Sequence, residues 1–241
     1  MSLSSSISRL TVYLRRNGAR ATVRRAQLAL ERVCFSNRMV LFYCDISTLR
    51  SAIDEVPDHI RIERHTSPTN INPRDLEVIT SFWNPKLATR NIKQRFELGA
   101  SLWLIRSKDT LAGYGWTLQK RTVELHYFPL GLDDVHLFDF QVFPQYRGRG
   151  LNPLLVNHIL RNLSSECKGR AFIEAAEWNQ AQLSSLQKTG FRRLDSARKL
   201  SFFGRTIVFW DRKSAQSEGT LELASSLPQN HKASSLADVQ Q

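Results

Sequence analysis

The stretch VFPQYRGRGLNPLL, Val142 to Leu155, sets two glycines between arginines directly after a strand-like run and directly before helix-forming residues. That arrangement suits an anion. A helix N-terminus exposes unpaired N–H groups and a partial positive charge, so it holds a phosphate-like group without side-chain help. Gly148 and Gly150 let a bulky oxyanion approach the backbone with no Cβ in the way. Arg147 and Arg149 add charge at the rim, and a pyrophosphate-bearing ligand fits this chemistry. Pro153 is acceptable in the first helical turn but supplies no N–H. A lone G-x-G reads equally well as an exposed basic bend, so the elements around it decide.

Those elements alternate. MVLFYCDI and IRIERHT read as strands. Asn72-Pro73 opens a helix through RDLEVITSFW, and KLATRNIKQRFELG forms a second, closed by Gly99. SLWLIRS, TLAGYGWTLQ, TVELHYF and VHLFDFQV follow as strands, and short Lys-Asp and Lys-Arg connections suggest an antiparallel meander. A helix from about Leu151 to Leu163, the strand AFIEAA, the helix NQAQLSSLQKT and strands near Arg192–Phe203 and Arg205–Trp210 complete the pattern. The expected core is residues 39–212, an α/β (α+β) domain with a mixed, mostly antiparallel sheet flanked by helices.

Both ends differ from this core. Residues 1–38 carry eight arginines and one acid, Glu31. Leu10, Tyr13 and Leu14, then Val23, Ala26, Leu30 and Val33, fall at helical spacing. The segment reads as two basic amphipathic helices: a hairpin packed on the core, an arm for a membrane surface or nucleic acid, or an Arg- and Ser-rich transit peptide. Residues 213–241 are rich in Ser, Gln and Ala and have no aromatic residue, the composition of a disordered tail. The net charge of +12 favours a polyanionic partner, although much of it sits in the N-terminal segment. Three dispersed cysteines without ligand spacing suit a reducing compartment and argue against structural zinc. With no apolar run near the roughly 20 residues a bilayer requires, and no secretory signal, a soluble cytoplasmic protein is expected.

The glycine turn does not stand alone. Gln145, Gly148 and Gly150 give Q-x-x-G-x-G between a strand ending QVFP and a helix bearing Leu151, Leu154 and Leu155. Further on, Asn179, Ala181 and QKTGF (Gln187 to Phe191) form an N…A…K-x-G-F segment. The two motifs, in this order and separation, resemble those of the GNAT superfamily, the Gcn5-related N-acetyltransferases. The resemblance covers roughly Leu102 to Trp210.

It implies acetyl-CoA as donor, no metal, and direct acyl transfer to an amine. The pyrophosphate would lie on the backbone of Arg147, Gly148, Arg149, Gly150, Leu151 and Asn152. Pantetheine would run beside Phe140 and Val142 as an added strand, along an edge that a bulge splays from its neighbour, and Asn179 would face its arm. The Val142 N–H is the implied oxyanion donor. A general base must free the amine lone pair, and His136, Asp139 and Glu174 are the candidates. Asp139 is preferred because a carboxylate inside LFDFQV is hard to explain as a surface residue. His136 and Asp139 have opposite strand parity, so they are expected on different sides of the cleft. The tyrosine that many relatives use to protonate the thiolate is replaced here by Leu186, which leaves the general-acid step in question. Most of the aromatics before the turn read as core, with Trp116 or Tyr127 suggested for an acceptor pocket.

Other readings remain at this stage. A non-catalytic GNAT fold could bind a membrane or nucleic acid through its N-terminal arginines, or the donor could carry a different acyl group. The expected acceptor is a small-molecule or protein amine.

Overall fold

The computed structural model describes residues 38–49, 56–81, 85–123, 126–166, 168–202 and 205–211. The N-terminal helices and the C-terminal tail expected from the sequence lie outside the described residues, apart from Arg38.

Strands β1 (Met39–Asp45), β2 (Ile60–His65), β3 (Ser101–Ser107), β4 (Thr110–Gln119), β5 (Val135–Val142), β6 (Arg170–Ala176), β7 (Arg192–Phe202) and β8 (Arg205–Trp210) form one sheet. Its order is β2-β3-β4-β5-β6-β1-β7-β8. Every neighbouring pair is antiparallel except β5 and β6. A parallel pair needs a crossover, which α3 (Leu151–Glu166) provides. Helices α1 (Pro73–Ser81), α2 (Pro85–Glu97) and α4 (Gln180–Leu186) complete the described fold.

Local chemistry fixes the helix ends. The Asn72 side chain accepts from the Arg74 N–H at 3.0 Å, capping α1 just ahead of Pro73. At the end of α2, Gly99 takes φ +87°, its N–H bonds Phe96 and the Ala100 N–H bonds Arg95. These two reverse bonds satisfy carbonyls that the last turn would otherwise leave unpaired.

The sheet separates three apolar clusters. On one face, α3 buries Leu155, Val156, Ile159 and Leu160 against Trp103, Ile105, Val135, Leu137 and Ile173. On the other face, α1 and α2 cover Leu102, Leu104, Tyr114 and Trp116 with Ile79 and Ile92. Because β3 is buried on both faces, it reads in sequence as an unbroken apolar run.

The third cluster corrects one expectation. Thr122, Val123 and His126–Phe128, the described residues of TVELHYF, form no strand; β4 pairs directly with β5, and the described part of the connection between them runs over the sheet. Tyr127 and Phe128 are buried there with Leu41, Phe172 and Leu194, a cluster to which no described helix contributes a residue. Asp134 pins the end of this connection by accepting from the Gly131 N–H at 2.8 Å and the Arg170 N–H at 3.0 Å. β1, the first described strand, lies between β6 and β7, where its two-sided apolar pattern belongs.

Candidate functional site

A bulge in β5 organises the site. Trp116 pairs with Phe138 and Tyr114 with Gln141, so Gly115 alone faces both Asp139 and Phe140. Asp139 takes φ +51°, the left-handed region, inside a strand. A non-glycine residue there costs on the order of 1–3 kcal/mol and persists only when its surroundings hold it. Gly115 is required for a steric reason: a Cβ would lie 2.4 Å from Cε1 of Phe140.

The extra residue reverses the facing of everything after it. Val135 and Leu137 point into the α3-side core, and so do Phe140 and Val142, although Phe140 lies three positions after Leu137, a step that would reverse the facing in an unbroken strand. Phe138 packs on the opposite side and Asp139 reaches Arg95 of α2. The parity expectation is therefore corrected: His136 and Asp139 share the face away from α3, because Asp139 is itself in the bulge and its left-handed backbone turns its side chain to the side of His136 and Phe138.

The bulge also marks where β5 leaves β6. Their pairing stops at Leu137 and Ile173, and Glu174 stands at the parting. The Phe143 N–H bonds the Ala112 carbonyl at 2.9 Å. Since antiparallel bonding alternates along a strand, the Val142 N–H and C=O point away from β4, into the opening. Nε of Arg147 donates to that Val142 carbonyl at 3.1 Å.

Beyond the opening lies the glycine turn. Gly148 and Gly150 adopt φ +76° and +73°, and a Cβ at either would meet no heavy atom within 4 Å. Open space and a left-handed backbone together form a cradle at the start of α3, where first-turn amides have no helical partner. Arg149 lies over the Tyr146 ring at 5.6 Å, and Gln145 is exposed in the short turn Pro144–Tyr146. Leu151 is buried as the first residue of the helix. Asn152 donates from Nδ2 to Oγ of Ser185 at 2.8 Å, tying α3 to α4. Asn179 caps α4, its Oδ1 accepting from the Gln182 N–H at 3.2 Å.

On the face away from α3, Nε2 of His136 bonds Oε2 of Glu174 at 2.8 Å. The His126 ring, from the β4–β5 connection, lies 5.0 Å from that of His136. Sequence reasoning missed His126, because its approach depends on how the connection folds back over the sheet. Burial alone raises the Glu174 carboxyl, but the charge and hydrogen bond of His136, with smaller attractions from His126 and Lys199, outweigh it. The carboxyl is held below its ordinary range. Burial pushes His126 down to about 3 despite the pull of Glu174, so its ring is neutral near pH 7. Among the described residues, Nε2 of His126 and Nδ1 of His136 are buried without a hydrogen-bond partner. The donor atoms of these three residues lie within 4.8 Å of one another, a set able to meet a divalent metal. The short His136–Glu174 bond already joins imidazole to carboxylate, which is the arrangement of a proton-carrying pair.

Asp139 occupies a different position. Its Oδ2 lies 2.5 Å from Nη1 of Arg95, and both side chains are largely buried. Trp116 is fully buried between Phe96, Phe138 and Arg95, and Tyr127 is 7% exposed beside Lys199 and Trp210. Leu186 is fully buried in the α3-side core, so its side chain does not reach the opening. A cavity of about 510 Å³ lined by Val40, Phe42, Glu177, Leu183, Ser184 and Arg193, among others, includes none of the candidate residues. Among the described residues, no helix is long and apolar enough to cross a membrane.

A sequence model of the GNAT family of acetyltransferases matches residues 67–191. No curated protein matches the sequence significantly. Among solved structures, a Drosophila protein superposes with a TM-score of 0.50 at 15% identity, over 73% of this chain and 55% of its own. A GCN5-related glucosamine N-acetyltransferase region in a fungal multi-domain β-N-acetylglucosaminidase gives 0.50 at 16% identity, over 77% of this chain and 23% of that one. A GNAT-family acetyltransferase from Colwellia psychrerythraea gives 0.49 at 13% identity, over 78% and 62%. The chain thus spans less than two thirds of each of these structures, and at such identities the likeness is one of fold.

Proposed function

The chain belongs to the GNAT acetyltransferase family, and from that premise we propose that it transfers an acetyl group from acetyl-CoA directly to a primary amine. One observation carries the reading. The opening between β5 and β6, with the Val142 N–H turned into it, leads to a glycine-lined helix N-terminus whose space a ligand can fill.

The residues fit the donor. Backbone amides from Gly148 to Asn152 receive the pyrophosphate, and Arg147 and Arg149 contribute charge. The free edge at Phe140 and Val142 bonds the pantetheine amides as a neighbouring strand would. Bound there, acetyl-CoA supplies an activated thioester.

This chain's groups do the rest. The amine arrives as an ammonium and yields a proton to the His136–Glu174 pair, directly at the carboxylate or through one water. The freed lone pair attacks the thioester carbonyl, and the oxygen that gains negative charge meets the Val142 N–H. The C–S bond then breaks, and the second proton on the attacking nitrogen passes to water or to the departing sulfur, leaving the neutral amide and free CoA as thiolate or thiol. The geometry favours the His136–Glu174 pair over Asp139 as base, since the Asp139 carboxylate is occupied by Arg95. With Leu186 buried in the core, the thiolate leaves without a proton from that position. A thiolate is stable enough to do so.

The test is release of free CoA thiol from acetyl-CoA in the presence of amino sugars, polyamines, amino acids and a lysine-bearing peptide. Amine-dependent release by the wild-type chain supports the proposal. Absence of release across all four classes, from folded protein, counts against it.

A further inference from the structure

Asp139 is the one described non-glycine residue that takes a positive φ inside a strand; Lys108, Asp109 and Lys120 lie in turns or at a strand end. Nothing in the aspartate favours that conformation strongly enough to fix it in mid-strand. The fixing group comes from another element. Arg95, in the last turn of α2, places Nη1 2.5 Å from the Asp139 carboxylate. Its guanidinium also lies 5.1 Å from the Trp116 ring and 5.3 Å from the Phe138 ring, the stacked residues that pair immediately before the bulge. The arginine therefore touches the bulge residue and both members of the last regular pair. It is itself held by a closed helix end, since its carbonyl accepts the Ala100 N–H at 2.9 Å.

We infer that Arg95 is a positioning residue: by clamping Asp139 it sets the β5 bulge, and through the bulge it orients the Phe140–Val142 edge that receives the donor. The donor half of this inference rests on the acetyl-CoA reading; the clamp itself does not. Three consequences follow from the geometry. Without the guanidinium, Asp139 relaxes toward the extended region and the extra residue can move along β5, turning Phe140 and Val142 out of register. A lysine at position 95 keeps the charge but loses the planar group that stacks on two rings. A glycine at position 139 adopts φ near +51° with no partner at all.

The experiment compares wild type, Arg95→Ala and Arg95→Ala/Asp139→Gly, by acetyl-CoA titration and by amide hydrogen exchange of the ligand-free chain. Arg95→Ala is expected to weaken acetyl-CoA binding about tenfold and to speed exchange in residues 138–143 relative to β3. Adding Asp139→Gly is expected to recover affinity to within about threefold and to slow that exchange again, although the ion pair stays absent. A merely stabilising ion pair predicts no such rescue, because the double variant has lost the same contact. Wild-type affinity in Arg95→Ala, or a loss that glycine fails to recover, overturns the inference. If Arg95→Ala does not fold, Arg95→Lys and Arg95→Lys/Asp139→Gly are read by the same criteria with a smaller expected loss. If the wild type binds no acetyl-CoA, the donor reading fails, and the exchange comparison alone decides whether the clamp exists.

Discussion

Nε2 of His136 and Oε2 of Glu174 meet at 2.8 Å where β5 and β6 part, so an imidazole on one strand is joined to a carboxylate on the next at the mouth of the opening. In the proposed reaction the pair serves as one proton acceptor, and the structure holds the Glu174 carboxyl below its ordinary range.

Removing the imidazole tests that role. His136→Asn is expected to lower kcat by about 10²-fold or more while leaving the KM for acetyl-CoA within a factor of about three. Glu174→Gln keeps the shape but removes the proton-accepting carboxylate, and is expected to lower kcat at least as much as His136→Asn. Thiol-release kinetics with an accepted amine measures both. A rise in KM at unchanged kcat would assign the pair to binding.

The buried His126 gives a pH signature to stability. Its folded pKa, about 3, lies below the ordinary histidine value because burial disfavours the cation. Above about pH 6.5 neither folded nor unfolded chain protonates it, so it contributes no pH dependence. As the pH falls below that value the unfolded chain binds a proton that the folded chain does not. Stability then drops by up to about 1.4 kcal/mol per pH unit until the pH nears the folded value. Glu174, Lys199 and His136 face this ring, and the depressed Glu174 carboxyl adds its own loss only in the carboxylate range. Urea unfolding between pH 7 and 5, with EDTA present, should therefore show a shallower slope for His126→Phe than for wild type.

Gly115 sets a packing test of the bulge. A Cβ there would lie 2.4 Å from Cε1, 2.6 Å from Cδ1 and 2.7 Å from Cζ of Phe140, so Gly115→Ala must displace the ring. The expected cost is about 1–3 kcal/mol of unfolding free energy. Phe140→Leu in the same background should recover part of it. Gly113→Ala is expected to cost more, because its Cβ would meet the Gln141 carbonyl oxygen at 2.5 Å, and a backbone atom cannot rotate aside. Denaturant titration ranks the three.

Cys44 is expected to be inert. Burial, aided by Asp45, pushes its thiol up to about 11, and it is 4% exposed. In a Cys34→Ser/Cys167→Ser background, Ellman's reagent should label the native chain at least about tenfold more slowly than the urea-unfolded chain.

The sequence exposed those features whose cause is local. Gly148 and Gly150 stood out because a left-handed turn before a helix restricts residue type, and β3 and β4 because two buried faces produce long apolar runs. Glu174 and His136 were candidates, yet their contact depends on parallel strands joined through α3, which no local spacing encodes. The bulge defeated a parity argument that assumes an unbroken strand; Asp139 looked like a buried carboxylate in need of a role, and its partner is Arg95, 44 positions away. TVELHYF has the composition of a strand because its aromatics are buried, but they are buried from above the sheet rather than within it. β1 reads as a strand from its own residues, while its place between β6 and β7 is a property of the whole sheet.

The central claim is that the glycine-lined start of α3 and the free edge of β5 hold acetyl-CoA. Calorimetric titration of the purified chain with acetyl-CoA, beside a Gly148→Glu/Gly150→Glu variant of the same fold by circular dichroism, tests it most directly. Two side chains and two negative charges placed in the cradle should abolish binding of a pyrophosphate. The account predicts binding with a Kd on the order of micromolar for wild type and none for the variant. A folded wild-type chain that binds no acetyl-CoA, or a variant that binds as well as wild type, would contradict it.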